Sequence, residues 1–276
     1  MKRMIICISL FFFSTMVNSN VYAITNKNNI EIDDTIYSKL VKFYGEDYLM
    51  TLSNDDYNDF QDIDLSNIKI VTSKDSRNYN FLAATEITNY KNLKIIVAEN
   101  KVTVKLDWLK QPKVKNYDVM AVRFSNTEYG SIINAKYVYG NYNYKKINEV
   151  KTFDNGLGFS FKLPTEEIKS VIFDFKVNGS GIVYATYQHS TTNKISYVQS
   201  RNFYISSAGL GRVLSFKNGI EKYYDGMQGV SITVWVAICY IKVAKVALKV
   251  ASVFVIAMLL FGCNKKYITC YNCRHD

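Results

Sequence analysis

Between Ile24 and Ile238 the chain has no cysteine. That excludes disulfides from the body, which must be held by its hydrophobic core alone. Histidine is almost as scarce. His189 and His275 are the only two, so the body carries one imidazole. Acid–base work needs a positioned partner, and a lone histidine at a strand end reads first as a structural or surface residue. No His-Glu-x-x-His and no Gly-x-Ser-x-Gly occurs, which removes the commonest zinc-hydrolase and serine-hydrolase signatures. Gly209-Leu210-Gly211 is a bare G-x-G with no following Gly or Lys, so phosphate binding is unsupported. Glu166 and Glu167 are adjacent and their side chains diverge. A carboxylate pair for glycoside hydrolysis would need one of them with Asp107 or Asp118 from a distant strand. No catalytic residue, cofactor or bound metal is expected in the body, and the balance leans against an enzyme.

Charge is missing from one long stretch. From Val230 to Cys263 the only charged residues are Lys242, Lys245 and Lys249, and asparagine is absent between Asn218 and Asn264. Residues 246–263 would make a helix about 27 Å long, close to the hydrocarbon thickness of a bilayer. The three lysines are spaced i, i+3, i+7, on one face, and are expected at the membrane interface ahead of an apolar helix. Two alternatives stand beside a span: a buried strand and packed helix, and a membrane-disrupting amphipathic helix. At the other end, Met1–Met4 is basic, Ile5–Val17 is apolar and Val21-Tyr22-Ala23 offers small residues for cleavage. That order is a signal peptide, so export to the cell surface with a C-terminal membrane anchor is expected. Cys263, Cys270, Cys273 and His275 carry half a zinc spacing only; lipidation or no role are the alternatives.

What remains is unevenly charged. Residues 24–65 hold three cations against ten acids, and residues 66–230 hold 23 cations against 13 acids. The two parts are expected to attract each other. The basic middle also suits anionic wall polymers or lipid headgroups, or is simply a solvated surface. Scattered lysines in an exported chain argue against nucleic acid.

Residues 31–60 have helical periodicity. Asp33 and Asp34 suit a helix start, and Ile36, Leu40, Val41, Tyr44, Tyr48 and Leu49 follow at helical spacing. Ser53 with Asp56 resembles a capping box. From Lys91 the period is two, with strands expected at 93–97, 102–108, 117–124, 131–139, 158–163, 171–177, 182–187, 195–205 and 230–236. The expected fold is mainly β: an antiparallel sandwich or jelly roll, preceded by a short helical segment and followed by a C-terminal apolar helix. The expected division is a signal peptide 1–23, helical segment 24–66, linker 67–90, sandwich 91–236, amphipathic or transmembrane helix 237–263 and polar tail 264–276, with irregular strands as the alternative to a linker across 61–90. The runs Tyr37-Ser38-Lys39-Leu40, Tyr44-Gly45-Glu46-Asp47-Tyr48 and Trp108-Leu109-Lys110-Gln111-Pro112 resemble uncharacterised exported proteins of Gram-positive bacteria. That resemblance implies an extracytoplasmic address and helices ahead of a β domain, and no activity.

The strongest constellation is aromatic. Tyr137-Val138-Tyr139-Gly140-Asn141-Tyr142-Asn143-Tyr144 reads as a hairpin with Gly140-Asn141 as a two-residue turn. Tyr137, Tyr139, Tyr142 and Tyr144 would then share one face. Such a row could stack on sugar rings, or could merely stiffen the hairpin or pack inward. The expected role is non-enzymatic binding of a glycan, wall polymer or protein. A membrane-active C-terminal helix and a wall hydrolase are the alternatives.

Overall fold

A computed structural model describes residues 24–61, 63, 65–73, 89–206, 213–217, 219–226 and 228–235. The expected signal peptide, the C-terminal helix with Lys242, Lys245 and Lys249, and the thiol-bearing tail lie outside these residues. Among the described residues no helix is long and apolar enough to cross a membrane.

The chain opens with a short pair, β1 (Ile24–Thr25) and β2 (Glu31–Ile32), and then three helices, α1 (Asp34–Tyr44), α2 (Glu46–Leu49) and α3 (Asn54–Gln61). Asp33 caps α1 by accepting from the Thr35 and Ile36 amides at 2.9 and 3.2 Å. Gly45, at φ +87°, ends it in a conformation that favours glycine. Ser53 and Asp56 cap α3 reciprocally, Asp56 standing where a capping box usually has Glu or Gln. The remaining strands are β3 (Lys69–Thr72), β4 (Lys91–Ala98), β5 (Lys101–Trp108), β6 (Tyr117–Ser125), β7 (Glu128–Tyr139), β8 (Asn143–Lys146), β9 (Lys151–Phe153), β10 (Gly156–Lys162), β11 (Ile168–Asn178) and β12 (Gly181–Gln188). After β12 come α4 (Tyr197–Ser200), β13 (Phe203–Ile205), β14 (Leu214–Phe216) and β15 (Gln228–Val234).

Apart from the separate pairs β1-β2 and β13-β14, they form two open antiparallel sheets. One runs β3-β4-β5-β11-β7-β8 and the other β15-β12-β6-β10-β9. Period-two alternation sends one face of each sheet inward. Val102, Val104 and Leu106 of β5, Phe173 and Phe175 of β11, Phe159 of β10 and Val183 of β12 meet in one core. The mainly antiparallel β architecture is thus as expected from the period change at Lys91.

Both outer faces are also covered. Helices α1–α3 pack on the six-stranded sheet, where Leu40, Tyr44, Tyr48, Leu49 and Phe60 meet Ile96, Val138 and Ile172. On the five-stranded sheet, Phe203, Ile205, Leu214 and Phe216 cover Val119, Ala121 and Tyr184. Lys69–Thr72, in the stretch read as linker or irregular strands, is an edge strand paired with β4. One boundary differs from expectation. Residues 195–205, read as one strand, hold α4 and β13. There Ser196 and Gln199 form a capping box that starts a helical turn and breaks the period-two pattern.

Candidate binding cleft

The tyrosine hairpin takes a different register from the expected one. Tyr139 pairs with Asn143, Val138 with Tyr144 and Tyr137 with Lys145. The loop is therefore three residues long, with Gly140 at φ +53° and Tyr142 at φ +56°. A one-residue slip turns every side chain to the other face. Tyr137 and Tyr139 belong to the sandwich core side, and Tyr137 stacks on Phe161 at 5.5 Å between ring centroids. Tyr142 and Tyr144 pack on the opposite face, against the helical segment. Tyr144 donates to Asn28 at 3.2 Å. The expectation of four tyrosines on one face is corrected: the rings split two and two, and each of them is committed to packing or a hydrogen bond.

Beneath the helices lies a layer that sequence reasoning read only as an ordinary alternating strand. Lys101, Thr103, Lys105 and Asp107 form the outward face of β5, yet both lysines and Thr103 are buried. Their partners come from the acidic N-terminal segment and from β11. Lys105 pairs with Asp47 at 2.7 Å and also with Asp107. Lys94 reaches Asp107 at 3.0 Å. Lys101 is 3.7 Å from Asp56 and lies over the Phe60 ring at 4.3 Å. Lys176 and Asp59 make an outer pair at 3.7 Å. Asp174 accepts from Thr103 and from the Tyr48 hydroxyl at 3.3 Å, and Lys136 donates to the Thr51 carbonyl at 2.6 Å. The acidic segment is thus docked on basic strands, and the charge asymmetry of the sequence was the signal for it.

The electrostatics follow from burial and pairing. Burial alone would lower Lys105, but Asp107 and Asp47 outweigh it and raise its pKa. Burial works against the Asp107 anion, yet Lys105 and Lys94 hold its pKa below the ordinary value. Asp174 is raised, mainly by burial. Burial, then the charge of Asp174, pushes the Tyr48 phenol well up, so it stays a donor.

Where this layer reaches the surface it opens into a cleft of about 300 Å³. The cleft is lined by Glu46 and Asp47 of α2, Asp107 and Trp108 of β5, Tyr142 of the hairpin loop, and Glu167, Ile168 and Lys169 at the start of β11. Glu46 and Glu167 are exposed, Trp108 is buried at its back and Tyr142 is half-buried. Tyr142 is held by burial and by a hydrogen bond to Glu46, which raise its pKa, while Lys169 lies 5.2 Å from its ring centroid. Asp47 and Asp107 are already paired with Lys105 and Lys94, so the exposed Glu46 and Glu167, with Lys169 and two rings, set the chemistry of the mouth, which suits a cationic or hydroxyl-bearing group. Of the four tyrosines proposed from sequence, only Tyr142 lines the cleft.

Trp108 joins the cleft to a second network. Its ring meets His189 edge-on at 5.1 Å and Tyr187 at 6.2 Å. Asp118 is fully buried and accepts from His189 Nδ1 at 2.9 Å, from the Ser190 amide at 2.9 Å and from the Tyr187 hydroxyl. This fixes the ring of His189, itself only 7% exposed. Asp118 is thus committed to Tyr187, His189 and Ser190, and it does not line the cleft. Among the described residues no group of His, Cys, Asp or Glu is arranged to hold a metal ion.

No family model and no curated protein matches the chain. Among solved structures, the collagen-binding subdomain of the Enterococcus faecalis surface protein ACE aligns at 12% identity, covering 49% of this chain and 86% of that one, with a TM-score of 0.26. AvmM, which catalyses macrocyclization in alchivemycin A biosynthesis, aligns at 8% identity, covering 61% and 89%, with a TM-score of 0.24. Neither superposition is close enough to carry a fold or a function across, and the functional reading rests on the cleft.

Proposed function

We propose that the chain is an exported, membrane-anchored surface protein whose sandwich binds a protein partner at the acidic cleft without catalysing a reaction. The observation that carries this is the convergence of Glu46, Asp47, Asp107 and Glu167 around Tyr142. Asp47 and Asp107 are held by Lys105 and Lys94, and the exposed Glu46 and Glu167 are left to face a partner, so the contacting group is a lysine or arginine side chain, which carboxylates pair with and an aromatic ring attracts. The split of the tyrosines removes the stacking row that favoured a glycan. Export and anchoring rest on the charge and hydropathy of the two ends, and separation of cells into membrane, wall and medium tests them directly.

The two tryptophans of the chain are Trp108 and Trp235. In a Trp235→Phe background, the fluorescence of Trp108 therefore reports on the cleft alone. Titration with an arginine-rich peptide should shift it saturably, and Glu46→Gln with Glu167→Gln should weaken binding about tenfold or more, about 1.4 kcal/mol. The response should fade at high salt. An equal response to an acidic peptide, or none to the basic one, contradicts the reading.

One observation favours a second reading. Asp107 and Glu167 line the same cleft, which supports a carboxylate pair for glycan hydrolysis as the alternative. Asp107 is held as an anion by Lys105 and Lys94, which suits a nucleophile or base, and Glu167 is the second carboxylate of the pair. Release of soluble fragments from purified walls, abolished by Glu167→Gln, would establish it. Intact walls would dismiss it.

A further inference from the structure

The loop ahead of the last strand is tied to the first long strand through a sealed amine and a carboxyl group. Lys91 opens β4 and has a side-chain exposure of 0%; Asp225, three residues before β15, has 8%. The Lys91 ammonium contacts Asp225 Oδ2 directly. Aromatic rings enclose the pair. Lys91 Nζ lies 5.6 Å from the Tyr90 centroid and 5.5 Å from that of Tyr187. The two carboxylate oxygens are held differently. Oδ1 accepts from the His189 amide at 2.9 Å. Oδ2 accepts from the Tyr90 hydroxyl at 3.2 Å as well as from Lys91. On the far side of His189 and Tyr187, Asp118 pins both residues.

We propose that Lys91 and Asp225 condense to an intramolecular isopeptide amide, which locks the 189–226 excursion onto the sandwich. An ion pair sealed among rings has an accessible neutral form, because transfer of one proton from ammonium to carboxylate removes both buried charges. The freed amine then adds to Cγ of the protonated carboxyl. In the tetrahedral intermediate Oδ1 carries the negative charge and faces the His189 N–H, which acts as its oxyanion donor. Oδ2 departs as water. One of its hydrogens is the carboxyl proton and the other comes from nitrogen, relayed by the Tyr90 hydroxyl. The Cγ–Oδ2 bond breaks, the Nζ–Cγ bond forms and the amide keeps one N–H. Nothing is oxidised or reduced, and no co-reactant is consumed. Amide formation is unfavourable between free groups in water. Here the partners are fixed in contact, where effective molarities reach about 10⁵–10⁸ M, and the water formed leaves a closed site. The product keeps the Oδ1 hydrogen bond to His189, so the surrounding network need not rearrange.

Mass spectrometry of the full chain decides the matter. The chain should be lighter than its sequence by one water. A tryptic digest should yield one branched species joining residues 78–94 to 223–242, because acylated Lys91 resists cleavage. Lys91→Met should restore the full mass. Asp225→Asn should instead lose ammonia, since the same attack then expels the side-chain amide nitrogen. Tyr90→Phe should slow the reaction, read as a mixture of linked and unlinked chains in freshly made protein. These readings are taken on denatured protein, so a variant that folds poorly still reports. A wild-type chain of full mass giving separate linear peptides overturns the proposal. So does a water deficit that survives Lys91→Met.

Discussion

Tyr142 shows what a single backbone angle decides. At φ +56° it holds a left-handed conformation that costs a non-glycine residue about 1–2 kcal/mol, and in return its ring lines the cleft beside Glu46. Tyr142→Gly should therefore change stability in urea by no more than about 1 kcal/mol, since relief of strain offsets the lost contacts. Binding of the basic peptide should fall at least about tenfold. Tyr137 is the opposite case, buried against Phe161. Tyr137→Ala should cost about 3–5 kcal/mol in urea unfolding, the range for removing a large core ring. The hairpin itself was legible from Gly140 between alternating aromatics. Its register was not, because Asn141 beside Gly140 pointed to a two-residue turn, whereas the second left-handed position, after Gly140, falls on Tyr142 and not on Asn141. Local composition does not distinguish the two loops; contact with β11, through the Gly140 amide and the Glu167 carbonyl at 2.8 Å, does.

At the scale of elements, the question is how helices with charged faces stay on a sheet. Strand β5 reads as a strand with apolar residues inward and Lys101, Lys105 and Asp107 toward solvent. The outer face is instead capped by α2 and α3. Nothing within β5 announces the cap. The complementary charge of residues 24–65 did, and it was legible as an imbalance though not as particular pairs. The pairing has a pH signature. Asp107 has its folded pKa below the ordinary 3.8, so its stabilising contribution is present above pH 3.8 and is lost as pH falls through the folded value. Lys105 has its folded pKa above 10.5; its contribution is present below pH 10.5 and is lost as pH rises through the folded value. Asp174 runs the other way. Its folded pKa is raised, so the folded state gains relative to the unfolded one as pH falls through that value. Asp107→Asn should therefore lower stability at neutral pH and remove part of the acid-side loss below pH 3.8. Urea unfolding at a series of pH values measures both. An unchanged acid limb would mean that Asp107 is not held by Lys105 and Lys94.

At the scale of the whole molecule, a disulfide-free body covers both faces of its sandwich and leaves its edges charged. Lys145 and Lys146 of β8 are exposed at one edge and Lys69 of β3 at the other, which discourages strand addition from another chain. The two sheets were legible because the apolar alternation from Lys91 onward is strong and the turns are marked by Gly and Asn. The outer layer after β12 was not, because Phe203–Ile205 and Leu214–Phe216 carry the same alternation as sheet strands and differ only in what they cover. The cleft was invisible for a related reason: it is assembled from α2, β5, the hairpin loop and the start of β11, four segments spread from Glu46 to Lys169. Hydrogen exchange on the full chain, with and without an arginine-rich peptide, tests this account most directly. Protection confined to residues 45–49, 107–108, 140–142 and 166–169 is the predicted result. Protection elsewhere, or none at saturating peptide, would contradict it.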